Sequence, residues 1–269
     1  MCDATAELPR MAPELQKTFH DLREKQMQSH FENLDLEGIN VNTRLLTGIP
    51  FVEIIREVLR GKYDLVIKSA EGSTGIFSNL FGEKDMRLMR KCPCPVWIIK
   101  QSKSTKFERI LAAVDPDPEV PGNASLNDQI LNLATSLAKQ EKSELHIVHT
   151  WSLLGEDILR SARSSLSKEE VDEIAAQTQQ QHKEWLDRLL KEHKLIGKGY
   201  KIHLEEGDAG EMIPKLARDT KATLVVMGTV ARTGVAGFFI GNTAERILRN
   251  VDSSVLTVKP EGFESPIKL

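Results

Sequence analysis

The residues best suited to chemistry lie in one glycine-rich stretch, Gly228-Thr-Val-Ala-Arg-Thr-Gly-Val-Ala-Gly-Phe-Phe-Ile-Gly-Asn242, followed by Thr243. Glycines let backbone N–H groups approach an anion closely, and a helix beginning at Asn242 and Thr243 adds the partial positive charge of its N-terminus. That combination suits a phosphate. The stretch lacks the Gly-Lys-Ser/Thr ending of a P-loop, and no nucleophile elbow occurs. No general base is identifiable, so binding is expected rather than turnover, with slow phosphoryl chemistry as the enzymatic alternative.

Two other sets of side chains are reactive by type. Cys92-Pro93-Cys94 has the look of a metal or redox pair, but no second Cys/His cluster lies near it in sequence, and a structural role is expected. The histidines (His20, His30, His146, His149, His182, His193 and His203) show no ligand spacing and no HxxxH pair. They are expected to be surface or packed residues, not metal ligands.

The elements that must position the glycine stretch follow from pattern. Residues 109–115 form a short apolar run, as in a strand buried on both faces of a parallel sheet. Ser125 with Asp128 resembles a capping box, and Leu126, Ile130, Leu133, Ala134, Leu137 and Ala138 continue at helical spacing. Leu145 to His149 predicts a second strand, and Ser167 opens a long helix with Val171, Ile174, Trp185, Leu186, Leu189 and Leu190 inward. A strand at 200–204, a helix at 211–218, a strand at 224–227, a helix at 243–250 and a strand at 255–258 complete the series. Strand and helix alternate throughout, which predicts an α/β fold with a doubly wound parallel sheet. Such sheets bind ligands at the carboxyl ends of their strands, where the strand order reverses.

The chain also repeats itself. A shift of 159 positions aligns residues 48–100 with 207–259 without a gap. Identities include Gly48/Gly207, Ile54/Ile213, Leu65/Leu224, Val66/Val225, Thr74-Gly75/Thr233-Gly234, Gly82/Gly241, Arg87/Arg246, Arg90/Arg249, Val96/Val255 and Lys100/Lys259. Matched glycines point to shared backbone geometry. The second copy, residues 107–260, reads as complete. The first, residues 1–102, starts by the same arithmetic about fifty residues before Met1 and so is expected to lack the counterpart of 107–159, its opening β-α-β.

At the glycine stretch the sequence resembles the universal stress protein family, whose nucleotide-binding members carry a Gly-x2-Gly-x9-Gly-Ser/Thr loop. Here that spacing reads Gly228-x2-Ala231-x9-Gly241-Asn242-Thr243. The string Gly-Thr-Val-Ala-Arg-Thr-Gly, the later Gly-Asn-Thr-Ala-Glu, and Val-Lys-Pro after the last strand most resemble the tandem-domain type of that family. In the first copy, Tyr63-Asp64-Leu65-Val66 and Leu88-Met89-Arg90-Lys91-Cys92-Pro93 match the partner domain. The resemblance implies a five-stranded parallel sheet of the adenine nucleotide alpha hydrolase-like type, strand order 3-2-1-4-5, and a non-enzymatic stress-response role. It also implies an adenine nucleotide, ATP or AMP, held in the second copy by Asp115, Thr150, Gly228, Thr229, Ala231, Gly241, Asn242 and Thr243. Asp115 would end the first strand near the nucleotide, and the backbone of Thr150, just past the second strand, would read adenine.

Two departures favour the alternative that the glycines only shape a tight crossing. Ala231 adds a methyl where the family has glycine, and Asn242 replaces a hydroxyl residue, although Thr243 offers one a position later. In the first copy the loop reads Ser69-x2-Gly72-x9-Gly82-Glu83-Lys84, which sets the Glu83 carboxylate where a phosphate would sit. No nucleotide is expected there. In the family order, the absent strands bridge strand three to strand four. The strand near Val41 to Leu46 is then expected to have no neighbour, and the strands at Leu65 to Lys68 and Val96 to Ile99 to keep an uncovered edge. Either the natural chain starts further upstream, or the first copy completes its sheet by homodimerisation or by leaning on the second copy.

Bulk properties bound the partners. A formal net charge of −3 gives no electrostatic reason to bind nucleic acid or membrane, while a small-molecule ligand stays open. Three cysteines are too few for a disulfide scaffold. No apolar run reaches the ~20 residues of a membrane span, and residues 1–10 lack a signal-peptide core. A cytoplasmic protein is expected.

Overall fold

The computed structural model describes residues 2–5, 13–29, 31, 35–71, 81–101, 106–161, 165–229 and 241–269. The first part of the chain forms β1 (Cys2–Thr5), α1 (Pro13–Ser29), β2 (Arg44–Thr47), α2 (Pro50–Gly61), β3 (Val66–Ser69), α3 (Glu83–Lys91) and β4 (Val96–Ile99). The second part forms β5 (Arg109–Ala113), α4 (Asn123–Glu141), β6 (Glu144–Trp151), α5 (Glu156–Leu159), α6 (Lys168–Glu192), β7 (Lys201–Glu206), α7 (Ala209–Asp219), β8 (Leu224–Gly228), α8 (Asn242–Asn250) and β9 (Ser254–Val258).

The apolar runs become strands because both faces of the sheet are covered. Side chains alternate across a strand. Ile110 and Ala112 of β5, Leu224 and Val226 of β8, and Leu256 and Val258 of β9 therefore face one core with α4 and α6. Leu111, Val225, Met227 and Val255 face the other, with Ile213 and Ala217 of α7 and Ile247 and Leu248 of α8. The second copy runs β7-β6-β5-β8-β9, parallel throughout, which is the order 3-2-1-4-5. The strand order reverses between β5 and β8, beside Gly228.

Local signals explain the boundaries. Gly48 and Gly207 occupy the left-handed region at φ 137° and 130°, and each turns a strand into the following helix. That geometry favours glycine and accounts for the identity between the copies. Ser167 opens α6 with a capping box: its hydroxyl accepts the Glu170 N–H at 3.2 Å, and Glu170 accepts the Ser167 N–H at 2.7 Å. Ser125 does not cap α4. The helix starts earlier, after Gly122 at φ 85°, and the Ser125 hydroxyl donates back to the Gly122 carbonyl at 3.2 Å. The short α5 carries no periodic signal and was not expected.

The first copy differs from its expected state in two ways. β2 has a neighbour, β1, in parallel register from Cys2↔Arg44 to Thr5↔Thr47. Cys2–Thr5 stand to β2 as Val148–Trp151 stand to the equivalent part of β7, so β1 occupies the place of the second strand's end. The edge of β4 is also covered, because β4 pairs antiparallel with β9 and joins β3 and β4 to the five strands of the second copy. β3 keeps an edge without a strand partner among the described residues.

In this joint Trp97 pairs with Leu256, flanked by Val96↔Thr257 and Ile98↔Val255. Trp97 and Leu256 are themselves equivalent in the repeat, so a local two-fold axis passes through their pair. Met89, Val96 and Ile98 share one core with Val225, Leu248 and Val255, so apolar packing runs across the joint. Burying each such large side chain stabilises by roughly 1.5–3 kcal/mol.

Candidate functional site

A cleft of about 350 Å³ opens at the carboxyl ends of β5 and β8, where the strand order reverses. Asp115, Thr150, Gly228, Gly241, Asn242 and Thr243 all line it. Six of the residues singled out from sequence therefore meet on one surface.

Each is placed by a nameable contact. Asp115 lies two residues beyond β5, and Asn127 of α4 clamps its backbone: the Asp115 N–H donates to Asn127 Oδ1 at 3.1 Å, and Asn127 Nδ2 donates to the Asp115 carbonyl at 2.8 Å. Thr150 lies inside β6 rather than past it. The Val148 carbonyl accepts from Val114 on the β5 side at 3.0 Å. Backbone polar groups alternate direction along a parallel strand, so those of Thr150 point to the same side, just beyond the last β5 bond. They face the cleft. A side chain at Gly228 would meet Leu126 Cδ2 at 2.6 Å, so this position excludes a Cβ unless the leucine moves.

Gly241 precedes α8 in extended conformation, with no side chain capping the helix. Its N–H donates to the Thr229 carbonyl at 3.0 Å. Glu245, the carboxylate of the first turn, is drawn toward Arg249 at 2.7 Å and Arg90 at 3.1 Å. The Arg249 hydrogen bond, and secondarily the Arg90 charge, hold its carboxyl below the usual range.

Thr229 differs from its assignment. Its side chain is fully buried and accepts a hydrogen bond from Lys259 Nζ, so it anchors the loop rather than lining the cleft. Ala231, with Gly72, Gly75, Gly234 and Gly237, lies outside the described residues.

The chain matches the universal stress protein family model twice, over residues 3–100 and 106–259. This protein belongs to the universal stress protein family. Universal stress protein E of Escherichia coli K12 is 31% identical over 230 residues, which span 82% of this chain and 68% of that protein. The Photorhabdus laumondii universal stress protein E is 30% identical over 234 residues, spanning 86% of this chain and 73% of that one. A solved structure of a functionally unknown protein from Pseudomonas aeruginosa PAO1 superposes with TM-score 0.71 at 26% identity, covering 97% of this chain and 81% of the other. A universal stress protein from Archaeoglobus fulgidus shares the fold at TM-score 0.62 and 20% identity, covering 90% and 80%.

In this universal stress protein the first-copy counterpart of the cleft carries a buried carboxylate at its helix start. Asp85, fully buried, stands where Ala244 stands in the second copy; it accepts Lys68 Nζ at 2.7 Å and the Glu71 N–H at 2.8 Å. Glu83, expected at the anion position, is instead exposed and pairs with Arg87. Asp85 supplies the negative charge in its place.

Asn127 was also missed, because a polar residue inside an apolar helical stripe gives no functional signal. Among the described histidine side chains, His146 and His149 are buried and His182, His193 and His203 half-buried, and four of these pair: His146 Nδ1 lies 3.0 Å from His203 Nε2, and His149 Nε2 2.8 Å from His182 Nδ1. These partners are far apart in sequence and share no spacing rule. Among the described residues no three His, Cys, Asp or Glu side chains are grouped to hold a metal ion, and no helix is long and apolar enough to cross a membrane.

Proposed function

We propose that this universal stress protein is a non-enzymatic stress-response module that binds one adenine nucleotide, in the second-copy cleft. The observation that carries this is the convergence of the Asp115 carboxylate, the Thr150 backbone and the start of α8 on one cleft at the strand-order reversal. The Thr150 amide groups suit the hydrogen-bonding edge of adenine. Asp115 suits ribose hydroxyls, as acidic residues do in related sheets. The N–H groups of α8, free of a side-chain cap, suit phosphate oxygens. A volume of about 350 Å³ is at the lower end for small-molecule sites. The first copy binds no nucleotide in this reading, because the Asp85 carboxylate in the first turn of α3 puts negative charge where a phosphate would approach.

A second reading rests on a different observation. A groove of about 760 Å³ beside β3 is lined by Tyr63, Leu65 and Ile67, all of them exposed. A stress module acting without nucleotide, through a second copy or an apolar small molecule, would use that face. Melting with AMP and ATP separates the two: binding to the native state at a hundredfold excess over Kd adds about 2.7 kcal/mol. Unchanged melting with both nucleotides favours the second reading.

A further inference from the structure

The turn from α3 into β4 carries two sulfurs in contact. Cys92 Sγ lies 3.6 Å from Cys94 Sγ; Cys92 is fully buried and Cys94 partly exposed. Behind them stands Lys259, buried at 5% exposure, whose Nζ donates to the Met89 carbonyl and the Thr229 hydroxyl and whose charge acts on Cys92.

The second copy makes the same turn without sulfur. Cys92 has φ −70° and ψ 133°, with its N–H on the Leu88 carbonyl at 2.9 Å. Its counterpart Val251 has φ −91° and ψ 138°, with its N–H on the Ile247 carbonyl at 3.0 Å. The counterpart of Cys94 is Ser253. The backbone therefore does not require cysteine at either position, and a purely structural role leaves the paired thiols unexplained. With no third metal-binding side chain grouped beside them among the described residues, redox chemistry fits the pair better than metal binding.

We propose that Cys92 and Cys94 form a thiol–disulfide redox pair at the joint between the copies, oxidised by low-molecular-weight disulfides that enter at Cys94. Cys94 gives its proton to solvent and attacks one sulfur of the disulfide, giving a mixed disulfide and releasing the first thiolate, which is reprotonated from solvent. Cys92, its thiolate favoured by the Lys259 charge, gives its proton to solvent and attacks the Cys94 sulfur, which expels the second thiolate. Two protein thiols and one disulfide become one protein disulfide and two small thiols, the protons passing to the released thiolates. Closure brings the sulfurs from 3.6 Å to about 2.05 Å, the length of a disulfide bond. The electrostatics favour the closing step: the shared hydrogen bond from Cys94, and then the Lys259 charge, hold the Cys92 thiol below its usual range, whereas that same bond and burial push the Cys94 thiol up and slow the entering step.

The test uses the full chain in a Cys2→Ser background, incubated with oxidised glutathione, acid-quenched and labelled with a maleimide. The expected product has lost both thiols, carries no glutathione, and is restored by dithiothreitol. Cys92→Ser should stop at one glutathione on Cys94, and Cys94→Ser should protect Cys92. Lys259→Met should slow ring closure by about tenfold and accumulate the mixed disulfide. Should that variant fail to fold, the pH dependence of closure in the unsubstituted protein serves instead, its midpoint expected below the ordinary thiol range because the Lys259 charge favours the Cys92 thiolate. Two thiols that stay free in the folded protein, or two cysteines that take up glutathione independently, overturn the pair; a midpoint in the ordinary thiol range overturns the role of Lys259.

Discussion

Lys100 and Lys259, equivalent in the repeat, each reach across the joint to the end of the other copy's helix. Lys100 Nζ donates to the Val251 carbonyl at 2.8 Å, and Lys259 Nζ donates to the Met89 carbonyl. Cations near helix C-termini meet the negative end of the helix dipole. Both reaches follow from the local two-fold at Trp97 and Leu256, although the carbonyls met are not equivalent: Lys100 bonds just past the end of α8 and Lys259 within the last turn of α3. It carries a desolvation cost: burial pushes Lys100 down to about 8 and Lys259 down to about 7, from ordinary values of 10.5.

That cost gives stability a pH signature. Both lysines have folded values below their unfolded values, so between about pH 7 and pH 10 the unfolded chain binds more protons than the folded one. Stability should therefore rise with pH through this window. The melting temperature should increase from pH 7 to pH 9, and the slope should flatten in Lys259→Met. A melting temperature that falls over this range contradicts the buried placement of the two ammonium groups.

Asn127 is a positioning residue for Asp115. Asn127→Ala leaves an N–H and a carbonyl unpaired near the cleft and should cost about 1–3 kcal/mol in urea denaturation. Asn127→Asp keeps the acceptor and loses the donor, so its cost should be of the same order. Both variants should weaken nucleotide binding. If Asn127→Ala melts like the parent, the clamp is not made in solution.

In the first copy, Asp85 and Glu83 make opposite predictions. Asp85→Ala strands Lys68 and the Glu71 N–H and should cost about 3 kcal/mol. Glu83→Gln removes an exposed charge and should change stability by about 0.5 kcal/mol or less. Equal effects by chemical denaturation would mean that Asp85 does not hold Lys68 and the Glu71 N–H in solution.

Much of the fold was legible because its signals are local or repeated. Apolar runs such as Ile110 to Ala112 mark doubly covered strands, and the paired glycines Gly48 and Gly207 mark equivalent turns. The exceptions have physical causes. Ser125 and Asp128 mimic a capping box, while the positive φ of Gly122 fixes the true start of α4. β1 escaped notice because it is four residues long and stands outside the gapless repeat. The site was legible where backbone geometry demands glycine or a helix start. Asn127 and Asp85 were not, since each acts through one contact with chain remote in sequence, and the buried turn of Thr229 depends on Lys259, thirty residues away.

The central claim is one adenine nucleotide per chain, held against the start of α8, and isothermal titration calorimetry with AMP and ATP tests it most directly. One site per chain is expected, with binding abolished by Gly241→Asp, which sets a carboxylate beside the phosphates, and retained in Asp85→Asn. No heat with either nucleotide would contradict nucleotide binding itself. Two equivalent sites would contradict the exclusion of nucleotide from the first copy, and undiminished binding in Gly241→Asp would contradict the placement at α8.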